Sequence, residues 1–258
     1  AASDSLHVEM PDHWEQAVDT RWQLIWQNDE LMALFKPAPL AVSRTTRNLH
    51  DTLIARVRRE TPYPEAQLLH RLDIETSGLI LVAKNSASDR KWKPQLKQLI
   101  TRKIYHAIVG GVPTWETQSL QCELAEREDS EIRCKMHVVQ DDGAQYRKPK
   151  HSHTQFNLLA SRQGRSLVEC ALFSGRKHQI RAHLAHLGHP IVGDKIYSFD
   201  GTYFLKRWHS ESGLSSDDYR MLGSENHQLR AVGLTLEIEG ASIELECPGL
   251  KLDHIDPA

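Results

Sequence analysis

The sequence predicts a mixed α+β fold, and three observations carry that expectation. Short runs of strand character dominate the second half of the chain, with helical stretches set between them. Strands and helices do not alternate strictly, which argues against a parallel βαβ sheet. No linker rich in Pro, Gly or Ser divides the 258 residues, so one compact domain is expected although the length allows two.

The elements follow in order. Trp22–Trp26 and Leu31–Phe35, joined at Asn28-Asp29, form a β-hairpin that Pro37 and Pro39 end. Asn48 to Glu60 is a helix: Leu49, Leu53, Ile54 and Val57 share one face, Asn48 can cap it, and Thr61-Pro62-Tyr63-Pro64 stops it. Gly78–Ala83 (GLILVA) is continuously apolar, as in a strand buried on both faces. A helix starts at Ser86 and carries Trp92, Leu96 and Leu99, kinked by Pro94. Lys103–Val109, Thr154–Ala160, Ser166–Phe173, Leu229–Ile238 and Ile243–Cys247 are strands. Lys177 to Leu187 is a helix with a stripe of Ile180, Leu184 and Leu187, ended by Gly188 and Pro190.

Composition narrows the function. Hydrophobic residues at 40% and charged residues at 26% fit a folded, soluble chain. The apolar runs are too short to cross a bilayer, so no membrane association is expected. The start shows no signal peptide and no initiator Met, so a trimmed chain is expected. Four cysteines without a CxxC pair point to a reduced, cytoplasmic protein with no cysteine zinc site. The net charge of −2 is a cancellation: residues 84–110 hold seven Lys/Arg against Asp89, and residues 144–181 hold eight against Glu169. Such segregation fits either a polyanion-binding surface or two solvated basic faces.

Four groups of residues can carry chemistry. Asp73, in His70-Arg71-Leu72-Asp73, sits in a turn with Glu75, Thr76, Ser77 and Gly78 just before the buried strand. It is either a reactive carboxylate at a strand edge or an Asx-turn residue satisfying backbone N–H groups. Arg176 and Lys177 stand at a predicted helix N-terminus, where an anion is favoured, and Arg181 one turn on can reach a carboxylate bidentately; the alternative is a solvated basic face. His178, His183, His186 and His189 crowd one segment, but without HExxH or an obvious carboxylate partner a metal site is not the favoured reading. Tyr105 can stack on a base or move a proton, or be a core tyrosine. No phosphate-cradling or dinucleotide-binding glycine motif occurs, and no organic cofactor is indicated.

The order and spacing of these motifs say more than any one of them. HRLDIETSGLILVAKN, then RKIYHAIVGG, then SGRKHQIRAHLAHLGHPIVGDKIY closely resembles the RluA-like family of pseudouridine synthases, as does the early WQLIWQNDELMALFKPAPLAV with its Lys-Pro. The resemblance runs from about Trp22 to Cys247. It implies the pseudouridine synthase catalytic fold, a mixed, largely antiparallel sheet with flanking helices and a central RNA cleft. It implies isomerisation of uridine in structured RNA, either tRNA or rRNA, with no metal or cofactor and the target base flipped out. Asp73 matches the family's catalytic aspartate, Tyr105 its active-site tyrosine, and Arg181 the arginine that pairs with the aspartate. Arg71 matches the residue that fills the space left by the flipped uridine, and Ile180 an apolar residue near the uracil. His70, Thr76, Arg176, Lys177 and His178 lie inside the matched motifs and are expected to contact RNA. Residues 21–250 would form the catalytic domain, 1–20 an N-terminal extension and 251–258 a tail, in a monomer.

The chain departs from the family pattern at Lys177, where Thr is usual, at Ser174-Gly175, often Thr-Gly, and at Leu229-Arg230-Ala231, where Leu-His-Ala is expected. These bear on RNA contacts rather than on the reacting groups. No S4-type RNA-binding domain is visible at the start.

Overall fold

The structure is a computed structural model that describes residues 15, 17–45, 48–210 and 212–252. Its strands are β1 Gln23–Gln27, β2 Leu31–Lys36, β3 Gln67–Leu68, β4 Ser77–Ala83, β5 Ile100–Gly110, β6 Thr117–Arg127, β7 His137–Val138, β8 Tyr146–Arg162, β9 Arg165–Leu172, β10 Leu229–Ile238 and β11 Ala241–Glu246. Its α-helices are α1 Leu53–Glu60, α2 Ser86–Trp92, α3 Leu96–Leu99, α4 Gln179–His186, α5 Thr202–His209 and α6 Ser216–Leu222. All the strands join one sheet in the order β1-β2-β4-β10-β5-β9-β8-β6-β7, with β11 added to β10 and β3 to β4. Only β4 and β10 run parallel, so the sheet is mixed and largely antiparallel.

The continuous apolar run of β4 is explained by its central place. Ile80 and Val82 face a core shared with Met32, Leu34, α1 and α4, while Leu79, Leu81 and Ala83 face a second core with Leu31, Ala33, Trp92 and Leu99. The period of two along each strand sends alternate residues to opposite faces, and here both faces are covered. Gly78 makes the β4–β10 approach possible. Its φ is +108°, and a Cβ there would lie 2.1 Å from the Ala231 carbonyl oxygen.

Several boundaries differ from the sequence expectation. The first helix starts at Leu53 and is capped by Thr52, whose hydroxyl accepts from the Ala55 N–H. Asn48 does not cap it; residues 49–51 instead direct their N–H groups at the Glu15 carboxylate. Pro94 breaks the next helix into α2 and α3 rather than kinking it. The helix expected from Lys177 starts at Gln179, because His178 adopts a left-handed φ of 55°. Strand β6 and helices α5 and α6 had not been expected: β6 alternates with few apolar residues, and α6 is set by a capping box between Ser215 and Asp218.

Candidate active site

The turn between β3 and β4 carries Asp73, and it is held from below and from one side. The Lys36 ammonium, fully buried at the end of β2, donates to the carbonyls of Pro37, Leu40 and Ile74, each at 2.9 Å. Glu75 accepts from Lys195 at 2.9 Å and from the His227 N–H at 3.1 Å. The Thr76 hydroxyl bonds the His227 ring at 2.8 Å. These contacts leave Asp73 with its side chain 30% exposed at the floor of the cleft.

Arg181, on the first turn of α4, reaches Asp73 with one nitrogen. Its Nη1 donates to Asp73 Oδ2 at 2.8 Å. The bidentate fork goes elsewhere: Nε and Nη2 donate to the two oxygens of Asp194 at 2.7 and 2.9 Å. Asp194 is fully buried and also accepts from the Ile196 and Tyr197 N–H groups. The Tyr197 ring lies 5.2 Å from the guanidinium. Arg181 is therefore clamped by Asp194 and Tyr197 and offers its remaining edge to Asp73.

Electrostatics follow from this arrangement. Burial, the largest single influence, pushes the Asp73 carboxyl up, but the Arg181 guanidinium together with the His178 and His227 rings outweighs it and holds the group at about 2. Burial and then the Arg181 charge push His178 down to about 4, so it is neutral at pH 7. The Tyr197 hydroxyl accepts from the Met136 N–H at 2.9 Å and lies 3.2 Å from His178 Nδ1. Its own proton is thus available to Nδ1, which leaves the ring proton on His178 Nε2, a nitrogen 3.9 Å from Asp73 Oδ2. Burial and the nearby Asp73 charge push the Tyr105 hydroxyl up, so it is a neutral phenol. Among the described residues nothing hydrogen-bonds that hydroxyl.

Asp73, Tyr105 and Arg181 all line one cleft of about 2040 Å³. The same lining holds eleven Lys/Arg against four Asp/Glu, a strong positive bias for a chain of net charge −2. The basic segments recognised in the sequence supply only part of it. Of their fifteen Lys/Arg, Lys93, Lys103, Arg176, Lys177 and Arg181 reach the cleft; Arg44, Arg58, Arg59, Arg71, Lys195 and Arg207 complete it. An ionised carboxylate beside a neutral phenol, at the floor of a basic cleft wide enough for a nucleotide, suits chemistry on one unit of a polyanion.

Comparison with known proteins agrees. A family model described as RNA pseudouridylate synthase matches residues 30–186. The chain belongs to this family. The dual-specificity RNA pseudouridine synthase RluA of Vibrio parahaemolyticus is 31% identical over 240 residues, covering 91% of this chain and 89% of that protein. The ribosomal large subunit pseudouridine synthase D of Neisseria meningitidis is 33% identical over 178 residues, and this match covers 67% of the chain but 45% of that protein. A solved structure of human RNA pseudouridylate synthase domain containing 1 shares the fold, with a TM-score of 0.69 and 22% identity over 91% of this chain and 86% of that one. This chain is accordingly an RNA pseudouridine synthase that isomerises uridine to pseudouridine in RNA.

Not every residue expected at the pseudouridine synthase site lies at it. Arg71 is exposed in the cleft wall, with no ion pair among the described residues. Arg176 and Lys177 line the cleft but precede the helix: the Arg176 N–H is taken by Gln179 and the Lys177 ammonium by Glu126, so the expected anion site at a free helix N-terminus is not formed. Thr76 is buried and its hydroxyl is used by His227. Ile180 is 4% exposed and belongs to the core beside Tyr105, not to the cleft wall. His70 lines the cleft, but its Nε2 accepts from the Leu81 N–H at 3.0 Å and burial pushes it down to about 3, a structural role. The other three histidines diverge: His183 bonds Ser152, His189 bonds the Gly110 carbonyl and His186 is exposed. Among the described residues no group of three metal-ligating side chains forms, and no helix is long and apolar enough to cross a membrane. Lys36, Glu75, Asp194, Tyr197 and His227 were missed as site residues. The signal for Asp194 and Tyr197 was present as charge and aromatic at the end of an apolar run, Ile191-Val192-Gly193-Asp194-Lys195-Ile196-Tyr197.

Proposed function

We propose that Asp73 is the reactive carboxylate, Arg181 the group that keeps it ionised, and Tyr105 the residue that packs on the flipped uracil and takes the carbon-5 proton late in the reaction. The 2.8 Å contact between Arg181 and Asp73 at the floor of the basic cleft carries this reading. In the reaction the N1–C1′ bond breaks, the uracil turns, and the C5–C1′ bond forms. The C5 proton leaves and N1 gains one, so atoms and electrons balance without redox change. A neutral Tyr105 is a poor base toward the resting substrate; it takes the C5 proton of the adduct only as its own hydroxyl proton leaves, so the step is a relay in which one proton arrives from C5 while another passes on towards N1. Arg71, exposed and without an ion pair among the described residues, fills the space left by the extruded nucleoside, and phosphate contacts along the cleft offset the unstacking cost.

The substrate is a uridine in transfer RNA or ribosomal RNA; one relative's name specifies the ribosomal large subunit and another's a dual specificity for RNA. The single sheet from Gln23 to Glu246 supports reading residues 21–250 as one catalytic domain. The protein acts as a monomer, and four free cysteines suit the cytoplasm, where these RNAs reside. The test is release of tritium from transcripts labelled at uracil carbon 5. Wild type should release label and Asp73→Ala should fall to background while binding RNA with unchanged affinity. Release by Asp73→Ala at the wild-type rate overturns the assignment.

A further inference from the structure

Beyond Tyr105, the cleft's aromatic side chains all come from one stretch of chain that the reaction does not use. Among the described residues these are Phe204 and Trp208 on α5 and Tyr219 on α6. Trp208 is 61% exposed, a large apolar surface to leave in water. Its ring lies over Phe204, with centroids 6.3 Å apart and planes at 18°. Phe204 packs in turn with Leu205 on the small core of Leu124, Ile132, Ile196 and Tyr197, so the stack stands on a rigid base. Cations alternate with these rings: Arg207 precedes Trp208, and the Lys195 ammonium lies 5.8 Å from the Tyr219 ring centre. Arg207 also reaches Glu75 at 3.6 Å, two residues from Asp73, which ties this rim to the catalytic turn.

We infer that Trp208, backed by Phe204 and flanked by Arg207 and Tyr219, is a second nucleotide subsite that stacks an unpaired base adjoining the target uridine. The argument is continuity and charge. The ring opens on the same cleft that must hold the flipped nucleoside, and the strand leaving Asp73 is a polyanion in a cleft biased toward cations. Aromatic faces interleaved with Lys/Arg are the arrangement that holds single-stranded nucleic acid without demanding a sequence. The cations of the same cleft that pair with no carboxylate among the described residues, Arg44, Arg58, Arg71, Lys103 and Arg176, favour an occupant that carries phosphates. The inference rests on the RNA-modifying activity and names a contact that helps position its substrate.

The test compares two fluorescent probes of equal length and charge at low salt: an oligoadenylate of about ten nucleotides and the same backbone without bases. Wild type should bind the base-bearing probe about tenfold more tightly. Trp208→Ala should lose most of that preference and Trp208→Phe should keep it, while circular dichroism and melting of both variants match wild type. With the tritium assay on an active transcript, Trp208→Ala should raise KM about tenfold, the loss of one stacked base. Equal preference for the base-bearing probe in wild type and Trp208→Ala overturns the inference, as does an unchanged KM. A protein that shows the Trp208-dependent preference but releases tritium from no transcript would overturn the proposed catalytic roles and leave this subsite standing.

Discussion

At the residue scale, Asp73, the carboxylate proposed to react, is governed by one guanidinium that is itself held by another carboxylate. Asp194 takes the strong bidentate contact, so Arg181 is immobilised before substrate arrives, and Asp73 receives a single directed N–H. The pH consequence has a definite sign. The Asp73 carboxyl is lowered in the fold to about 2 from 3.8, so its contribution to stability is present above the unfolded value and is lost as pH falls through the folded one. Catalysis should therefore show no Asp73 limb between neutral pH and about pH 4. Arg181→Lys offers one ammonium to two carboxylates, Asp73 in the cleft and the buried Asp194, and cannot reproduce the fork. Burial then acts on Asp73 with less opposition, and the acid limb of kcat should appear, moved up to about pH 4–6. A kcat–pH profile of the variant that stays flat over that interval would contradict this control. The pair was legible in the sequence because both residues lie in long motifs, HRLD and QIRAH. Its clamp was not, because Asp194 acts through a contact thirteen residues away that no periodicity encodes.

At the element scale, what the sequence disclosed is what local physics dictates. Strand β10 was placed at its observed bounds, and β4 was recognised because burial on both faces demands an unbroken apolar run. Strand β6 escaped because much of it is exposed and polar, and its place is decided by pairing with β8 across the chain. Helix α4 starts two residues late because His178 is left-handed and Gln179 folds back to accept from the Arg176 N–H. The most consequential unread element contact is Lys36, which looks like a surface residue at a strand end yet is fully buried and joins β2 to the turn that carries Asp73. Lys36→Met fills a similar volume but leaves three carbonyls without donors. Removing a desolvated charge offsets part of that cost, so a loss of roughly 3 kcal/mol in urea unfolding is expected. The slackened turn should lower kcat about tenfold, since small misplacements at a reacting group are expensive. A variant with unchanged unfolding midpoint and kcat would show that the turn holds itself.

At the scale of the whole molecule, a chain of net charge −2 binds a polyanion because folding sorts its charges. The sorting has two layers. Arg181 and Lys195 serve carboxylates inside the site, and Lys93, Lys177, Arg59 and Arg207 pair with carboxylates nearby. Among the described residues Arg44, Arg58, Arg71, Lys103 and Arg176 line the cleft without an ion pair, and these are the charges left for phosphates. Their number sets the salt response. Each phosphate contact to a single strand releases counterions equivalent to a slope of about −0.7 in log K against log salt, so five contacts give roughly −3.5. Substituting Arg44 or Arg176 by Ala removes one contact and should flatten that slope by about 0.7, weakening all RNA sequences alike, whereas a cation already committed to a carboxylate should change it much less. Arg44→Ala and Arg176→Ala are the informative variants because neither residue touches Asp73. Affinities measured across a salt series for wild type and these variants decide the matter: a wild-type slope near zero would mean that the unpaired cations do not meet the RNA backbone, and that the cleft holds its substrate through base contacts alone.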